Sequence, residues 1–420
     1  MTKTRRELLR LGLGGSTLLA CGPTVPTFLA RAALAMADAP TRDADGRILV
    51  VVQLDGGNDG LNTVVPHGDD IYHKSRPKLA LKAKDLKPID EHVGLHPSLD
   101  GFAKLREEGK LAIVQSVGYP NPNRSHFESM AIWHTARLSP GKEEPGWLAR
   151  ATDVGQSGPG SDAPALQIGP EALPQALRGG RSFVPSVATA DQLRRRLGLS
   201  KPDGADEQRT VLDQIAGHYG NSDNPLLQFV SRSTVISYAS SARLEAVLEG
   251  DDTVEDPDSY GLTRRLRLIA RMIKAGLSTS IYYTQLGGFD THADQLNQHS
   301  SKLFELSRSV QSFMTEIDRS GNGDRVTVLV FSEFGRRLRE NASAGTDHGT
   351  AAPVFLIGRP VQGGLHGPYP NLAHLKDEDP EHAIDFRRIY STVMERWLKL
   401  PAQASLGSPF EPLPLFRSIS

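Results

Sequence analysis

Cysteine is nearly absent from this sequence, because the 420 residues contain only one, Cys21. A single thiol so close to the N-terminus excludes a disulfide scaffold, a cysteine-based zinc site and a cysteine nucleophile from the body of the chain. No stretch of 18 or more apolar residues follows the N-terminal segment, so no transmembrane segment is predicted in the mature chain. Neither sign of charge is in excess, with 48 Lys and Arg against 49 Asp and Glu, so nucleic acid is not expected as a partner.

The first 37 residues have the pattern of an export signal. Arg5 and Arg6 precede a weakly apolar, Gly-rich stretch, and small residues accumulate up to Ala39. A basic start, an apolar middle and Ala-x-Ala sites are typical of a cleaved signal. Paired arginines indicate the twin-arginine (Tat) route, which exports folded proteins. Residues 1–37 are therefore predicted to be a Tat signal, with the Tat export machinery as a partner and a periplasmic or secreted destination.

Cys21 leaves two interpretations of this signal open. The sequence LLAC at residues 18–21 resembles a lipobox, in which the cysteine becomes the lipidated first residue. The alternative is cleavage after ALA at 33–35 or AMA at 35–37, which removes Cys21. The later cut is favoured because Asp38 opens a clearly polar segment, and lipid anchoring at Cys21 is the minority alternative.

Five short apolar runs rich in β-branched residues are predicted to be buried strands. They are Arg47–Leu54, Leu111–Val117, Ser278–Leu286, Arg325–Phe331 and Ala352–Gly358. Helical patterns lie between or after them, at Leu99–Glu108, Ser125–Ala136, Leu262–Ala275, Leu296–Arg319 and Phe386–Leu398. This alternation predicts an α/β fold with a large, mostly parallel sheet sandwiched by helices. The more polar region 140–259 is predicted to be an insertion or cap on the same domain.

Polar side chains follow four successive predicted strands. They are Asp55 and Asn58, then Ser125 and His126, then Asp290 and His292, and finally Glu333, Arg336, Asp347 and His348. Ligands of such sheets bind beyond the carboxyl ends of the strands, so these side chains are predicted to form one site. Carboxylates and imidazoles together favour Zn, Mn or Mg over a soft metal. One or two such ions would clamp the oxygens of a phosphoryl or sulfuryl group. No dinucleotide-binding or P-loop motif follows any of these strands, which argues against an NAD or ATP enzyme.

Each of these residues also has a purely structural interpretation. The DGG at 55–57 could be only a turn, Asp290 could cap the helix that follows it, and Glu333 could pair with a neighbouring arginine. Ser125 could be the N-cap of its helix and complete a capping box with Glu128, or it could be a nucleophile activated by a metal. The occurrence of such residues at four successive strand ends is what favours a functional site.

The segments LDGGNDGLNTVVP, NRSHFES, GGFDTHADQ, SEFGR and GTDHG occur in this order. They resemble the recurrent motifs of the DUF1501 family, a group of exported proteins of uncharacterised activity. The similarity runs from about Arg47 through DFRRIYSTVMERWL to the C-terminus, so residues 46–420 are predicted to be one DUF1501 domain. That family resembles the alkaline phosphatase superfamily, which includes sulfatases, and this implies an alkaline phosphatase-like core.

The resemblance also implies roles for the matching residues. The implied metal ligands are Asp55, Asp290, His292 and His348, the implied nucleophile is Ser125, and Ser332-Glu333 occupies the place of a further metal-binding pair. To these the hypothesis from the residues themselves adds Glu333 and Asp347 as further ligands and His126 as a second catalytic residue. Asn58, His126 and Arg336 are predicted to hold the anion. Two departures from the superfamily pattern are visible in the sequence. Asp290 and His292 are two residues apart rather than four, and Ser332-Glu333 stands where the pattern has Asp-His.

The leading prediction is an exported, metal-dependent hydrolase of phosphate esters, acting on a small-molecule or glycan anionic ester. Sulfate esters are less favoured, because NRSHFES lacks the Cys/Ser-x-Pro-x-Arg context that the resemblance implies for sulfatases. The alternative is a non-catalytic periplasmic or cell-surface binding or assembly protein that retains the fold. Loss of the Asp-His pair favours this alternative, and retention of DTH and DH in the same chain disfavours it.

Overall fold

The structure is a computed structural model, and it describes residues 46–155, 163–180, 182, 184–187 and 261–417. The predicted Tat signal, residues 1–37, and Cys21 lie outside the described residues, as do residues 188–259 of the predicted insertion. Within the described ranges, no helix combines the length and the apolar character that a membrane crossing requires.

The strands and helices are numbered in chain order. The described strands are β1 (Ile48–Asp55), β2 (Val64–Val65), β3 (Lys87–Pro88), β4 (Gly94–Leu95), β5 (Leu111–Gly118), β6 (Ala165–Ile168), β7 (Ser186–Val187), β8 (Ile281–Gly287), β9 (Val326–Ser332), β10 (Arg336–Glu340), β11 (Thr346–His348), β12 (Ala352–Ile357), β13 (Gly364–His366), β14 (Leu375–Lys376), β15 (Asp379–Pro380) and β16 (Ile384–Asp385). The described α-helices are α1 (Gly60–Thr63), α2 (Asp70–Ser75), α3 (Asp100–Glu107), α4 (His126–Thr135), α5 (Trp147–Val154), α6 (Gly261–Lys274), α7 (Gln295–Arg319), α8 (Phe386–Thr392) and α9 (Ala402–Leu406). A π-helical segment, Val393–Leu398, continues α8.

Nine of the described strands form the central sheet, in the order β13, β5, β12, β9, β1, β8, β6, β7, with β16 also paired to β5. β1 lies near the middle and is parallel to both of its neighbours, β8 and β9. Its alternate residues enter two different cores: Val50 and Val52 pack on one face of the sheet, and Leu49 and Val51 pack on the other. A strand buried on both faces is mostly apolar, which is why this run shows no alternation of apolar and polar residues.

Helices cover both faces of the sheet. The first core contains side chains of α3, α6 and α7, such as Phe102, Leu266 and Leu306. The second core contains side chains of α4, α5, α8 and α9, including Trp133 and Trp147. The prediction of an α/β fold with a large, mostly parallel sheet sandwiched by helices is confirmed.

β12 is the exception to the parallel arrangement, because it runs antiparallel to both β5 and β9. Its first residue, Ala352, therefore lies at the edge of the sheet where the parallel strands end. The GTDHG segment, residues 345–349, precedes β12 and reaches that edge from the opposite direction. An apolar run carries no directional signal, so the sequence analysis could not predict this reversal.

The predicted insertion needs a correction at its N-terminal part. β6 pairs with β8 in parallel, and β7 pairs with β6, so these strands extend the central sheet. Side chains of α5 and β6, among them Leu148 and Ala165, belong to the second core. The described residues between 140 and 187 are therefore part of the main domain and do not form a cap on it.

A buried polar contact joins β1 to α4. His134 Nε2 lies 2.8 Å from the amide oxygen of Gln53, and the Tyr283 hydroxyl donates a hydrogen bond to the same oxygen. Burial lowers the pKa of His134 to about 3. The folded protein therefore keeps this ring neutral at pH values where the unfolded chain would protonate it.

We expect the free energy of unfolding to fall as the pH decreases below about 6.5, the usual pKa of histidine. Below that value the unfolded chain binds a proton at His134 and the folded protein does not, so stability must rise with pH. The contribution of one histidine reaches at most about 1.4 kcal/mol per pH unit. Urea unfolding between pH 7 and pH 5 should give a smaller slope for His134→Gln than for the wild type. Exposed His374→Gln serves as the control, and equal slopes for all three proteins would contradict the prediction.

Candidate metal centre

Three imidazole rings converge on one carboxylate oxygen at the carboxyl edge of the sheet. Asp290 Oδ1 lies 3.1 Å from Nε2 of His348, 3.1 Å from Nε2 of His292 and 3.5 Å from Nε2 of His126. The Nε2 atoms of His292 and His348 are 2.9 Å apart. Asp290 and His292 follow β8, His126 opens the helix after β5, and His348 ends β11. The structure thus brings together predicted residues from three of the four strand ends.

Two of these rings are held firmly through their other nitrogen. His126 Nδ1 lies 2.8 Å from Oε1 of Glu333, and His348 Nδ1 lies 2.7 Å from the backbone carbonyl oxygen of Arg124. Carboxylate and carbonyl oxygens only accept hydrogen bonds, so we assign the ring proton to Nδ1 in both residues. In the neutral form of each ring, the Nε2 lone pair then faces Asp290. Burial lowers the pKa of His348, which favours its neutral form.

The third ring is more exposed and more loosely held. His292 Nδ1 lies 3.4 Å from Oδ1 of Asp347, an oxygen that also accepts a hydrogen bond from the side-chain amide of Asn341. His292 and Asp347 both have about half of their side-chain surface exposed, 45% and 55%. Asp347, a predicted metal ligand, therefore contacts the outer nitrogen of His292 on the far side of that ring from Asp290.

A divalent cation fits this arrangement. His126 Nε2 is buried and has no hydrogen-bond partner. The imidazole lone pairs and the negatively charged oxygen of Asp290 repel one another unless a cation or a proton lies between them. Single ligand atoms from His126, Asp290 and His348 all lie within 4.8 Å of one another. Two imidazoles and a carboxylate are a donor set that suits zinc, and partners on the outer nitrogens are typical of metal-bound histidines.

Arg336 does not face outward to an anion as the sequence analysis predicted. Its guanidinium group is fully buried and donates to the carbonyl oxygens of Gly57, Thr346 and Phe289. It also donates to Oδ1 of Asp290 at 2.7 Å. Burial alone would raise the pKa of Asp290, but hydrogen bonds, first from Arg336, outweigh this effect and lower it to about 2. Arg336 therefore keeps Asp290 ionised and in place.

Asn58 is also placed differently from the prediction. Only 1% of its surface is exposed. Its side-chain oxygen accepts hydrogen bonds from the Thr63 hydroxyl at 3.0 Å and from His299 Nε2 at 2.9 Å. The side chain therefore belongs to a buried polar network behind the site and is not available to a substrate anion.

Glu333 supports His126 and does not join the group of atoms around Asp290. Its carboxylate is completely buried and accepts hydrogen bonds from the backbone N–H of Gly56 at 2.9 Å and from the Ser332 hydroxyl at 2.8 Å. Its remaining contact is the hydrogen bond with His126 Nδ1. These contacts fix the carboxylate, and the carboxylate in turn fixes the orientation of the imidazole.

We expect Glu333→Gln to weaken metal binding by about 10- to 100-fold, the usual effect of losing an outer partner of a histidine ligand. The hydrogen bond to Glu333 raises the pKa of His126, so this pKa should fall in the variant. Zinc titration against a competing chelator measures the affinity, and NMR titration of the imidazole measures the pKa. Exposed Glu107→Gln is the control. A lowered pKa together with unchanged zinc affinity would show that His126 is not a ligand.

Asp55 lies at the end of β1, at the same edge of the sheet. Loss of surrounding water raises its pKa, and the nearby charge of Glu333 raises it further. The next residue, Gly56, has a φ of +116°, and a Cβ atom there would lie 2.4 Å from the backbone nitrogen of Asp290. Glycine is thus required at this position because the β1 turn and the Asp290 loop touch. The DGG sequence is a turn, and it is also a close contact that positions Asp290.

Ser125 is the N-cap residue of α4 and is exposed. Its side chain makes no capping hydrogen bond, so the capping box with Glu128 is not formed. Both chain neighbours of Ser125 take part in the centre. The Arg124 carbonyl oxygen contacts His348, and the His126 ring contacts Glu333. The role of that carbonyl was missed by the sequence analysis, because every residue has a backbone oxygen and the sequence gives no signal for its use.

Comparison with known proteins shows the family to which the chain belongs. Residues 47–396 match the family described as "Protein of unknown function (DUF1501)". No curated protein matches the sequence. Similar solved structures include the zinc complex of the C-terminal periplasmic domain of EcEptC from Escherichia coli, with a TM-score of 0.36 and 8% identity over 77% of each chain.

Two further similar structures have comparable values. One is the PsFucS1 sulfatase from Pseudoalteromonas sp., with a TM-score of 0.40 and 11% identity, covering 88% of this chain and 70% of that one. The other is a protein in the alkaline phosphatase superfamily from Vibrio parahaemolyticus, with a TM-score of 0.35 and 11% identity, covering 82% and 70%. At such low scores the similarity does not extend to function or to the roles of residues.

Proposed function

Since the chain belongs to the DUF1501 family, whose description names no function, we propose from its own site that it is an exported, metal-dependent hydrolase of phosphate esters. Sulfate esters are the less favoured substrates. The observation that carries the proposal is the convergence of three Nε2 atoms on Asp290 Oδ1, one of them, in His126, buried and without a partner. The export part rests on the N-terminal sequence alone.

His126, Asp290 and His348 would hold the ion, and His292 is close enough to add a fourth ligand atom. Zinc fits the imidazole-rich set best, and Mn or Mg would suit a set richer in carboxylates. When bound, the ion supplies Lewis-acid polarisation of the ester oxygens. Glu333, Asp347 and the Arg124 carbonyl orient the rings, so two of the predicted ligands have a positioning role in this proposal.

Ser125 is the proposed nucleophile. Its hydroxyl makes no capping bond, and it stands at the N-terminus of α4, where free N–H groups favour a bound anion. Attack of the hydroxyl oxygen on phosphorus would form a seryl phosphate and release the alcohol, which takes the proton that the serine loses. Water would then attack the phosphorus of the seryl phosphate and break its bond to the serine oxygen, which releases inorganic phosphate and returns a proton to the serine.

The test combines metal content with turnover. Elemental analysis of mature protein purified without chelator should find one or two divalent ions per chain. The protein should hydrolyse 4-nitrophenyl phosphate faster than 4-nitrophenyl sulfate. Ser125→Ala should retain the metal and lose turnover, and the exposed control Ser408→Ala should retain both. Absence of metal even after exposure to Zn and Mn would overturn the proposal, and full turnover by Ser125→Ala would overturn the nucleophile assignment.

One observation favours the alternative, a non-catalytic binding or assembly protein. The buried Arg336 is fully engaged by backbone carbonyls and Asp290, so the guanidinium expected to hold the transferred group is not available for it. In this case the wild type would retain bound metal and hydrolyse neither ester. The same two measurements therefore separate the two functions.

A further inference from the structure

Gln295, the first residue of α7, has a fully buried side-chain amide with three hydrogen-bond partners. Its Nε2 donates to Oδ2 of Asp59, and its Oε1 accepts from the hydroxyls of Thr291 and Thr346. A carboxylate only accepts hydrogen bonds, so the amide nitrogen must face Asp59 and the amide oxygen must face the two threonines. The orientation of this amide is therefore fixed by its surroundings.

The two threonines belong to the two segments that carry candidate metal ligands after β8 and in β11. Thr291 lies between Asp290 and His292, and Thr346 lies two residues before His348. The backbone N–H of Thr346 also donates to the carbonyl oxygen of Thr291 at 3.2 Å. The buried amide therefore cross-links the two segments, and the Nε2 atoms of His292 and His348 lie 2.9 Å apart.

His292 has the weakest side-chain support of the three rings at the centre. The other two rings are held at Nδ1 by hydrogen bonds of 2.8 and 2.7 Å, whereas His292 Nδ1 lies 3.4 Å from Asp347. The position of this ring therefore depends on its backbone. The exposed Asn341 amide donates to the His292 carbonyl oxygen at 2.9 Å, and the buried hydroxyl of Thr291 fixes the preceding residue at 3.0 Å from the glutamine.

We propose that Gln295 is a positioning residue that keeps His292 within reach of the ion, so that the candidate centre has four protein ligand atoms. The amide acts through the two threonine hydroxyls, which hold one ligand segment against the other. Asp290 does not need the amide in the same way, because Arg336 donates to its carboxylate directly. This inference rests on the metal centre of the proposed function, but it does not depend on ester hydrolysis.

The experiment is a double-mutant cycle read out as zinc affinity, measured by competition with a chelator. Gln295→Met retains the length of the side chain, removes the amide and should weaken zinc binding by about tenfold or more, the usual effect of losing an outer partner of a ligand. His292→Ala should weaken it at least as much, since it removes the ligand itself. The double variant should bind zinc as His292→Ala does, because the amide then has no ring to position.

Substitutions of Thr346 separate the hydroxyl from the shape of the side chain. Thr346→Val removes the hydroxyl that donates to Gln295 and should weaken zinc binding, whereas Thr346→Ser keeps it and should bind zinc like the wild type. Thr263→Val is the matched control, because this buried threonine of α6 shares a hydrogen bond of 2.8 Å with Ser309 of α7. It should lower the free energy of unfolding as Thr346→Val does and leave zinc affinity unchanged.

Hydrogen exchange of the Thr346 backbone amide tests the cross-link in protein freed of metal. In Gln295→Met this amide should exchange faster relative to the amides of β9, which report the stability of the sheet as a whole. An unchanged ratio would show that the two segments stay together without the glutamine, and this result would overturn the inference.

The zinc measurements separate this inference from the proposed function. The inference alone is overturned if the wild type binds zinc and Gln295→Met or His292→Ala binds it equally well. It is also overturned if the two losses add up in the double variant, which would place the effect of the amide on another ligand. Absence of zinc from the wild type overturns the inference and the proposed function together, and zinc binding without ester hydrolysis overturns only the hydrolase. If Gln295→Met does not fold, the pair Thr346→Val and Thr346→Ser decides.

Discussion

Asp290→Asn is expected to abolish metal binding and ester hydrolysis while the protein stays folded. The carboxylate is the common neighbour of three imidazole nitrogens and the only acidic ligand atom in the group formed with His126 and His348. The amide has the same shape but no charge, so zinc affinity should fall by more than about 100-fold. This exceeds the usual loss when a residue that only hydrogen-bonds a metal ligand is replaced. Competition with a chelator measures the affinity, and turnover of 4-nitrophenyl phosphate measures the activity.

Asp347→Asn is the matched control for this substitution. Asp347 is exposed and contacts only the outer nitrogen of His292 and the Asn341 amide, so its loss should change zinc affinity much less. Thermal unfolding should be little affected in the control. If Asp347→Asn lost the metal and Asp290→Asn kept it, the centre would lie on the exposed side of His292, and the convergence on Asp290 would have no role in metal binding.

Much of the fold could be predicted because buried strands and long helices have strong local signals. The predicted strand Arg47–Leu54 is observed as Ile48–Asp55, and the predicted helix Leu296–Arg319 as Gln295–Arg319. The strands β6 and β7 have four and two residues and lie in a polar, Gly-rich region. Such short runs do not show the apolar pattern by which the longer strands were predicted. β6 joins the sheet by pairing with β8, which lies more than 110 residues further along the chain, and β7 joins it by pairing with β6.

The position of the site was predictable, and the roles of its residues were not. Carboxyl ends of parallel strands meet at one edge of a sheet, so the polar segments after β1, β5, β8 and β9 had to come together. Whether a side chain faces a ligand depends on contacts far along the chain. The hydrogen bond between His126 and Glu333 spans 207 residues, and the one between Arg336 and Asp290 spans 46. The sequence therefore indicated that Glu333 and Arg336 are polar residues near this edge of the sheet, but it did not indicate which side chains they contact.

A second large effect is expected behind the metal centre, at a buried ion pair. Asp59 and Arg76 both have completely buried side chains, and two guanidinium nitrogens of Arg76 donate to the two carboxylate oxygens at 2.6 and 3.0 Å. Arg76 also donates to the carbonyl oxygens of Arg337 and Leu338. The pair thus connects the turn after β1 to α2 and β10, and Arg76 is the cation that compensates the buried charge of Asp59.

Arg76→Met is expected to lower the free energy of unfolding by about 3–5 kcal/mol at pH 7, because the carboxylate of Asp59 would remain buried and uncompensated. Urea unfolding of the wild type and the variant gives this difference. Lys74→Met removes a cation from an exposed pair with Asp70 and should change the stability little. The double variant Asp59→Asn with Arg76→Met should regain part of the loss, since it buries no unpaired charge.

The pH dependence of this loss identifies its cause. Burial alone would raise the pKa of Asp59, and Arg76 is what holds it below the usual value in the folded protein. In the wild type the pair therefore contributes stability above about pH 4, and this is lost as the pH falls through the folded pKa. In Arg76→Met the pKa of Asp59 should be raised in the folded state. As the pH falls, the folded variant therefore binds a proton at Asp59 before the unfolded chain does. The loss in free energy of unfolding relative to the wild type should then shrink from pH 7 to pH 5. A deficit that stays constant over this range would mean that lost packing of the Arg76 side chain, and not the unpaired charge of Asp59, destabilises the protein.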